Sequence, residues 1–146
     1  MVTSPTEEIR IGQLAIRFLL ESEASGDSVA VFEFDVPTAA RVPIAHSHDG
    51  YEETIYGLEG ALTWTVDGEQ TEVGPGEVLC IPRGVVHRFD NDHEVDAKML
   101  AIASPGILSP DYFREMAAVI EAATDAPPEP AALAEVMGRH GLTPAP

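Results

Sequence analysis

Between residues 10 and 104, apolar and polar positions alternate with a period of two in short runs, and Gly, Pro, Asn or Asp interrupts each run. Such alternation marks strands with one buried face. Over residues 13–21, Ile16 and Phe18 flank Arg17, which predicts a strand. Residues 29–36 are β-branched and aromatic, with Phe32 and Phe34 on one face, and Pro37 ends the run. Over residues 61–66, Leu62, Trp64 and Val66 alternate with Thr63 and Thr65. Asp67-Gly68 then predicts a two-residue hairpin turn, with residues 70–73 as the return strand. Val78–Ile81 reads as a short buried strand stopped by Pro82, and residues 52–56, 85–89 and 95–103 supply further strands. Many short strands without intervening helices predict a sandwich or barrel.

Beyond residue 104 the pattern changes. Ser109-Pro110-Asp111 has the composition of a helix start: Ser as N-cap, Pro in the first turn, Asp at the positive end of the dipole. Phe113, Met116, Ala117 and Ile120 follow at i, i+3, i+4 and i+7, an amphipathic stripe. Pro127-Pro128-Glu129-Pro130 breaks the pattern. A second short helix is expected over residues 131–140, with Leu133, Val136 and Met137 on one face and Gly141 just past its end.

Composition narrows the possible partners. Hydrophobic residues make up 45% of the 146, enough for a globular core. Eight Lys and Arg face 25 Asp and Glu, a formal charge of −17. So acidic a surface repels phosphate backbones and anionic lipid, which argues against nucleic-acid or membrane binding. The single cysteine, Cys80, sits in an apolar run with no basic neighbour and is expected to be a buried, inert thiol. No apolar run approaches the roughly 20 residues of a membrane span, and the first residues lack a basic-then-apolar leader. The expected location is cytoplasmic.

Candidate chemistry concentrates in residues 46–60. His46 and His48 are two apart, so in a strand both imidazoles point to one face. Asp49-Gly50 predicts a turn, and the chain returns through Glu52-Glu53-Thr54-Ile55-Tyr56. Two nitrogens and a carboxylate on one strand pair form the ligand set of a borderline divalent metal. A third histidine, His87, begins a strand just after the tight bend of Pro82 and Gly84. His93 in a polar turn and His140 at a helix end read as surface residues.

These segments resemble the cupin family. Its first motif is G-x5-H-x-H-x3,4-E-x6-G, matched here by His46, His48, Glu53 and Gly60, with Ala40 in place of the leading Gly. Its second, G-x5-P-x-G-x2-H-x3-N, is matched by Gly76, Pro82, Gly84, His87 and Asn91. The resemblance implies an all-β cupin jelly-roll β-barrel with two short C-terminal α-helices. The expected organisation is a flexible arm over residues 1–8, the barrel over 9–106 and a helical extension over 107–146. It implies one divalent transition metal (Fe, Mn, Ni, Co, Cu or Zn) on His46, His48, Glu53 and His87. Glu52 fits a shorter spacing, but only Glu53 keeps the six-residue gap to Gly60.

Four protein ligands leave two octahedral positions for water, substrate or O₂, so the expected activity is that of a metal-dependent, dioxygenase-like oxidoreductase. Its substrate would be small, oxygen-chelating and partly apolar or aromatic, and a partly detached Glu53 would act as base. Metal-dependent isomerisation or lyase chemistry, or non-catalytic binding of a small molecule, are the alternatives. Strand parity nominates Ile44, Ile55 and Phe89 as pocket-lining residues, beside Met99 and Tyr51. Tyr56 has the parity opposite to Glu53 and is expected outside. Outward apolar residues such as Tyr56 and Leu58, together with the habit of the family, imply a homodimer.

Overall fold

The computed structural model describes residues 1–123 and 125–146. Among the described residues, eleven strands form two facing sheets. The six-stranded sheet runs β1 (Ile9–Ile11), β2 (Leu14–Leu20), β3 (Ala30–Val36), β10 (Ala97–Ser104), β5 (Glu52–Glu59), β8 (Val78–Ile81). The five-stranded sheet runs β11 (Leu142–Pro144), β4 (His46–His48), β9 (His87–Asp90), β6 (Leu62–Val66), β7 (Glu69–Val73). Every neighbouring pair is antiparallel. The fold is an all-β jelly roll whose barrel is two opposed sheets, not a closed ring of strands. Helices α1 (Pro110–Ala122) and α2 (Pro130–Arg139) follow the last long strand.

The inward faces carry the predicted alternation. β3 reads buried at Ala30, Phe32, Phe34 and Val36, and β10 at Ala97, Met99, Ala101 and Ala103. Ala101 on β10 sets a small residue beside Phe32 of β3, while Met99 pairs with Phe34. Trp64, Ile55, Leu62, Ile81 and Met99 are fully buried between the sheets. Each such side chain contributes about 1.5–3 kcal/mol on burial. At the hairpin tip, Asp67 (φ 51°) and Gly68 (φ 80°) adopt the left-handed pair that the Asp-Gly signal predicts.

Two sequence expectations fail for identifiable reasons. β8 is not buried. It is an edge strand whose Val78 is 63% exposed, and only Leu79 and Ile81 turn inward. Cys80 accordingly faces solvent. An edge strand and a central strand share the same apolar composition, so the run of residues could not separate them. β1 and β11 are new to the structure, three-residue strands too short for any periodicity to show. β11 has a physical consequence: it pairs with β4, setting Leu142 opposite His48 and Pro144 opposite His46.

The helices fit their signals. Ser109 is the extended N-cap of α1, and Gly141 (φ 77°) follows α2. Met116 and Ala117 of α1 and Val136 and Met137 of α2 are buried against the sheets.

Two glycines with opposite surroundings test this packing. A Cβ at Gly57 would sit 1.9 Å from the carbonyl oxygen of Gly74, whereas a Cβ at Gly138, inside α2, meets nothing within 4 Å. Gly57→Ala should destabilise by more than about 2 kcal/mol. Gly138→Ala should stabilise by about 0.5–1 kcal/mol. Thermal melts of both variants check the pair, and a Gly57→Ala melting temperature at or above that of the parent would refute the close approach.

Candidate metal centre

β4, β5 and β9 bring the four nominated side chains together across the gap between the sheets. His46 on β4 pairs directly with His87 on β9. His48 lies one pleat further along β4. Glu53 comes from the opposite sheet, on β5 between β10 and β8. The three histidines each offer a ring nitrogen, and these atoms lie within 4.8 Å of one another. Ring centroids are 5.1 Å apart for His46–His48, 4.8 Å for His46–His87 and 4.5 Å for His48–His87. A Glu53 carboxylate oxygen (Oε2) lies 3.3 Å from His48 Nδ1 and 3.8 Å from His87 Nε2.

The surrounding turns hold this geometry through the backbone. Gly84 N–H donates to the His48 carbonyl at 2.9 Å, tying the Pro82–Gly84 bend to the histidine strand. Gly84 itself has φ 74°, which favours glycine. Gly60 has φ 63°, and a Cβ there would strike the Asp96 carbonyl oxygen at 2.4 Å. Asn91 is buried, donates to the Val36 and Val95 carbonyls and accepts from His93 N–H, locking the exit of β9. Near the first motif's leading position, the left-handed residue is Ala39 (φ 59°), not Ala40, so alanine at 40 costs nothing in backbone strain.

The donor chemistry fits a metal. His46 Nδ1–H donates to the Ile44 carbonyl at 2.8 Å, and His87 Nδ1–H to the Val85 carbonyl at 3.0 Å. Those bonds fix the neutral tautomer with the Nε2 lone pair free, the arrangement metal-binding histidines use. His48 Nδ1 is buried with no hydrogen-bond partner, an orphan that an ion would satisfy. Burial pulls all three histidines toward the neutral form, His48 to about 2 and His87 to about 4, and for His48 and His87 the neighbouring imidazoles add to the effect. Burial alone pushes Glu53 up to about 7. A pocket that disfavours every charge of its own accommodates a cation through neutral nitrogens and one carboxylate.

The site forms the floor of a cavity of about 410 Å³. Of the nominated lining residues, Ile44, Tyr51 and Phe89 line it. Ile55 and Met99 do not: both are fully buried core residues. Ile55 shares the face of Glu53 and Met99 pairs with Gly57, so each lies further along the strands, where the two sheets pack on each other. Tyr51 stacks on His48 with centroids 4.4 Å apart at 17°, and its buried hydroxyl has no partner. Burial, then the Glu53 charge, pushes the Tyr51 and Tyr112 phenols up. Glu52 lies outside and pairs with Arg83 at 2.7 Å. Neither His93 nor His140 joins the three site histidines.

The sequence reading missed the walls supplied by α1 and α2. Tyr112, Phe113 and Met116 of α1 and Leu133 of α2 line the same cavity as the histidines. Tyr112 stands four residues before Met116, so it belonged to the stripe by spacing.

Residues 32–103 match the cupin domain family. The chain is similar to quercetin 2,3-dioxygenase of Bacillus subtilis, 28% identical over 110 residues, covering 75% of this chain and 32% of that one. It is 33% identical over 60 residues to the tetracenomycin polyketide synthase protein TcmJ of Streptomyces glaucescens, covering 41% of this chain and 40% of that one. The chain thus spans well under half the length of these two relatives. Among solved structures, the polyketide cyclase RemF of Streptomyces resistomycificus superposes with a TM-score of 0.58 and 27% identity, covering 77% of this chain and 86% of that one.

If the three imidazoles act as one donor set, His87→Ala should weaken binding of Zn²⁺ or Ni²⁺ at least about tenfold. Adding metal to chelator-stripped protein should raise the melting temperature of the parent, through ligand linkage, and not that of the variant. Metal analysis after dialysis and paired melts check this, and equal occupancy in the two proteins would rule out His87 as a ligand.

Proposed function

We propose that this chain, which belongs to the cupin superfamily, holds one divalent transition metal on His46, His48, Glu53 and His87 and acts as a dioxygenase-like oxidoreductase. The observation that carries the proposal is the position of this donor set, at the floor of a cavity whose walls are mostly apolar and aromatic. Its substrate class is a small, partly aromatic molecule that chelates through two oxygens. Bound there, the ion would supply Lewis acidity and, if it is iron, copper or nickel, redox chemistry.

The chain's own residues supply the rest. Phe34, Trp64, Phe89 and Phe113 present flat apolar walls to the cavity, which suit a planar ring and exclude water. Tyr51 fixes the His48 ring by stacking on it. Glu53, buried within reach of His48 and His87, would act as the base when partly detached from the ion. The dioxygenase named among the relatives supports this reading.

A second reading is metal-assisted cyclisation or lyase chemistry without O₂. The polyketide cyclase and the polyketide synthase protein favour it, since a polyketide chain also carries closely spaced carbonyl oxygens. Non-catalytic binding of the same class of molecule is the third. Oxygen uptake by iron-, nickel- and copper-loaded protein, with flavonol, 1,3-diketone and poly-β-ketone panels, separates them. The oxidoreductase reading expects stoichiometric O₂ consumption with the first two panels. Turnover without O₂ uptake selects the second reading, and tight binding without turnover the third. Glu53→Gln should keep part of the metal and lose turnover; unchanged activity in that variant would remove Glu53 as base.

No described helix is long and apolar enough to cross a membrane, and a cytoplasmic location is our proposal. We also propose a homodimer. On the outer face of the six-stranded sheet, Tyr56 (38% exposed) pairs with Val78 (63%), leaving apolar surface for a second copy. Light scattering on the eluting chromatographic peak should give twice the chain mass, and a monomer at micromolar concentration would contradict the pairing.

A further inference from the structure

The eight cationic side chains of this acidic chain are almost all neutralised locally. Arg10, Arg17, Arg83, Arg88, Lys98, Arg114 and Arg139 each have a carboxylate within 4.0 Å. Among the described residues, Arg41 is the one without such a partner, although the chain holds 25 Asp and Glu. Arg41 lies in the segment between β3 and β4, five residues before His46, and its side chain is exposed. It also lines the cavity whose floor is the histidine cluster. Its backbone N–H donates to Gln13 Oε1 at 3.1 Å, which ties this segment to the β1–β2 hairpin on the same wall. The other arginine of the lining, Arg88, is already held by both oxygens of Asp90.

An unpaired guanidinium on a wall of this mostly apolar cavity has a chemical reading. A formal charge of −17 repels any anionic molecule approaching the protein. An uncharged substrate would need no cation on this wall. A substrate with a carboxylate would need one, and a guanidinium matches a carboxylate in charge and in its forked geometry. Resting on the chelating-substrate reading above, we propose that Arg41 selects substrates bearing a carboxylate on the end remote from the chelating oxygens. The cavity would then read a molecule in three parts: chelating oxygens at the histidines, an aromatic or apolar middle, and a carboxylate at Arg41. Arg41 is a specificity-determining residue here, since it would touch the carboxylate and not the chelating oxygens.

The test uses the full chain loaded with redox-inert Zn²⁺, so that binding is read without turnover. Fluorescence titrations with 3-hydroxyflavone and with its 3′- and 4′-carboxylated derivatives compare the parent, Arg41→Gln and Arg41→Lys. The parent should bind the better-fitting carboxylated probe about tenfold more tightly than the uncharged one. That preference should shrink as salt is raised from about 0.05 M to about 0.5 M. In Arg41→Gln the order should reverse, because the acidic field then acts unopposed, while Arg41→Lys restores part of the preference. Zinc content and melting temperature should match in all three proteins, since among the described residues the Arg41 side chain makes no ion pair that a substitution would break. If the parent binds the uncharged flavonol but shows no preference for either carboxylate, or if Arg41→Gln keeps the preference, the inference about Arg41 is overturned and the metal site stands. If zinc-loaded parent binds none of the probes, the chelating-substrate reading fails, and the inference with it.

Discussion

Burying polar groups is expensive unless they find partners, and this fold sets four of them facing one another, three of them buried. His48, Glu53 and His87 are each less than a tenth exposed, with His46 beside them. Left alone, the group is a cost: His48 Nδ1 has no hydrogen bond, and burial drives Glu53 and the histidines toward their neutral forms. One cation would remove most of that cost at once. The strand register serves this convergence. The pairing of His46 with His87 sets two donors side by side, and the facing sheet presents Glu53 across the gap. Carbonyls at Ile44 and Val85, each two residues before a histidine, hold two of the rings in the tautomer a metal requires.

The segment after the last long strand does more than cover the outside. β11 extends the five-stranded sheet beside β4, and Asp49 N–H donates to the Gly141 carbonyl at 2.8 Å. Thr143 Oγ1 donates to the Asp49 carboxylate at 2.9 Å. The backbone of the histidine strand is therefore pinned by the chain's own C-terminal end. α1 meanwhile places Tyr112 and Phe113 on the cavity wall, so the shape of the binding space depends on residues far from the motif region.

What could be read from the sequence, and what could not, follows from range. His46, His48, Glu53 and His87 were legible because spacing and turn residues are local signals. Gly60, Gly84 and Asn91 each prove to answer a specific backbone demand. The alternation in β3, β6 and β10 was legible because each has a buried and an exposed face. The edge position of β8, the exposure of Cys80 and the pairing of β11 depend on which strand lies next to which, and a local pattern holds no such information. The same limit explains Ile55 and Met99. Parity gives the face a residue points to, but not how far along that face the cavity extends. Arg41 escaped notice because a lone arginine means little until every other cation is seen to be paired.

The account stands on several imidazoles meeting at a single ion, and X-ray absorption at the edge of a bound metal examines that most directly. For protein loaded with one equivalent of Zn²⁺, the account predicts a first shell of nitrogen and oxygen at about 2.0–2.1 Å. The outer-shell scattering should require three histidine rings. A spectrum fitted by oxygen ligands alone, or by no more than one imidazole, would contradict it.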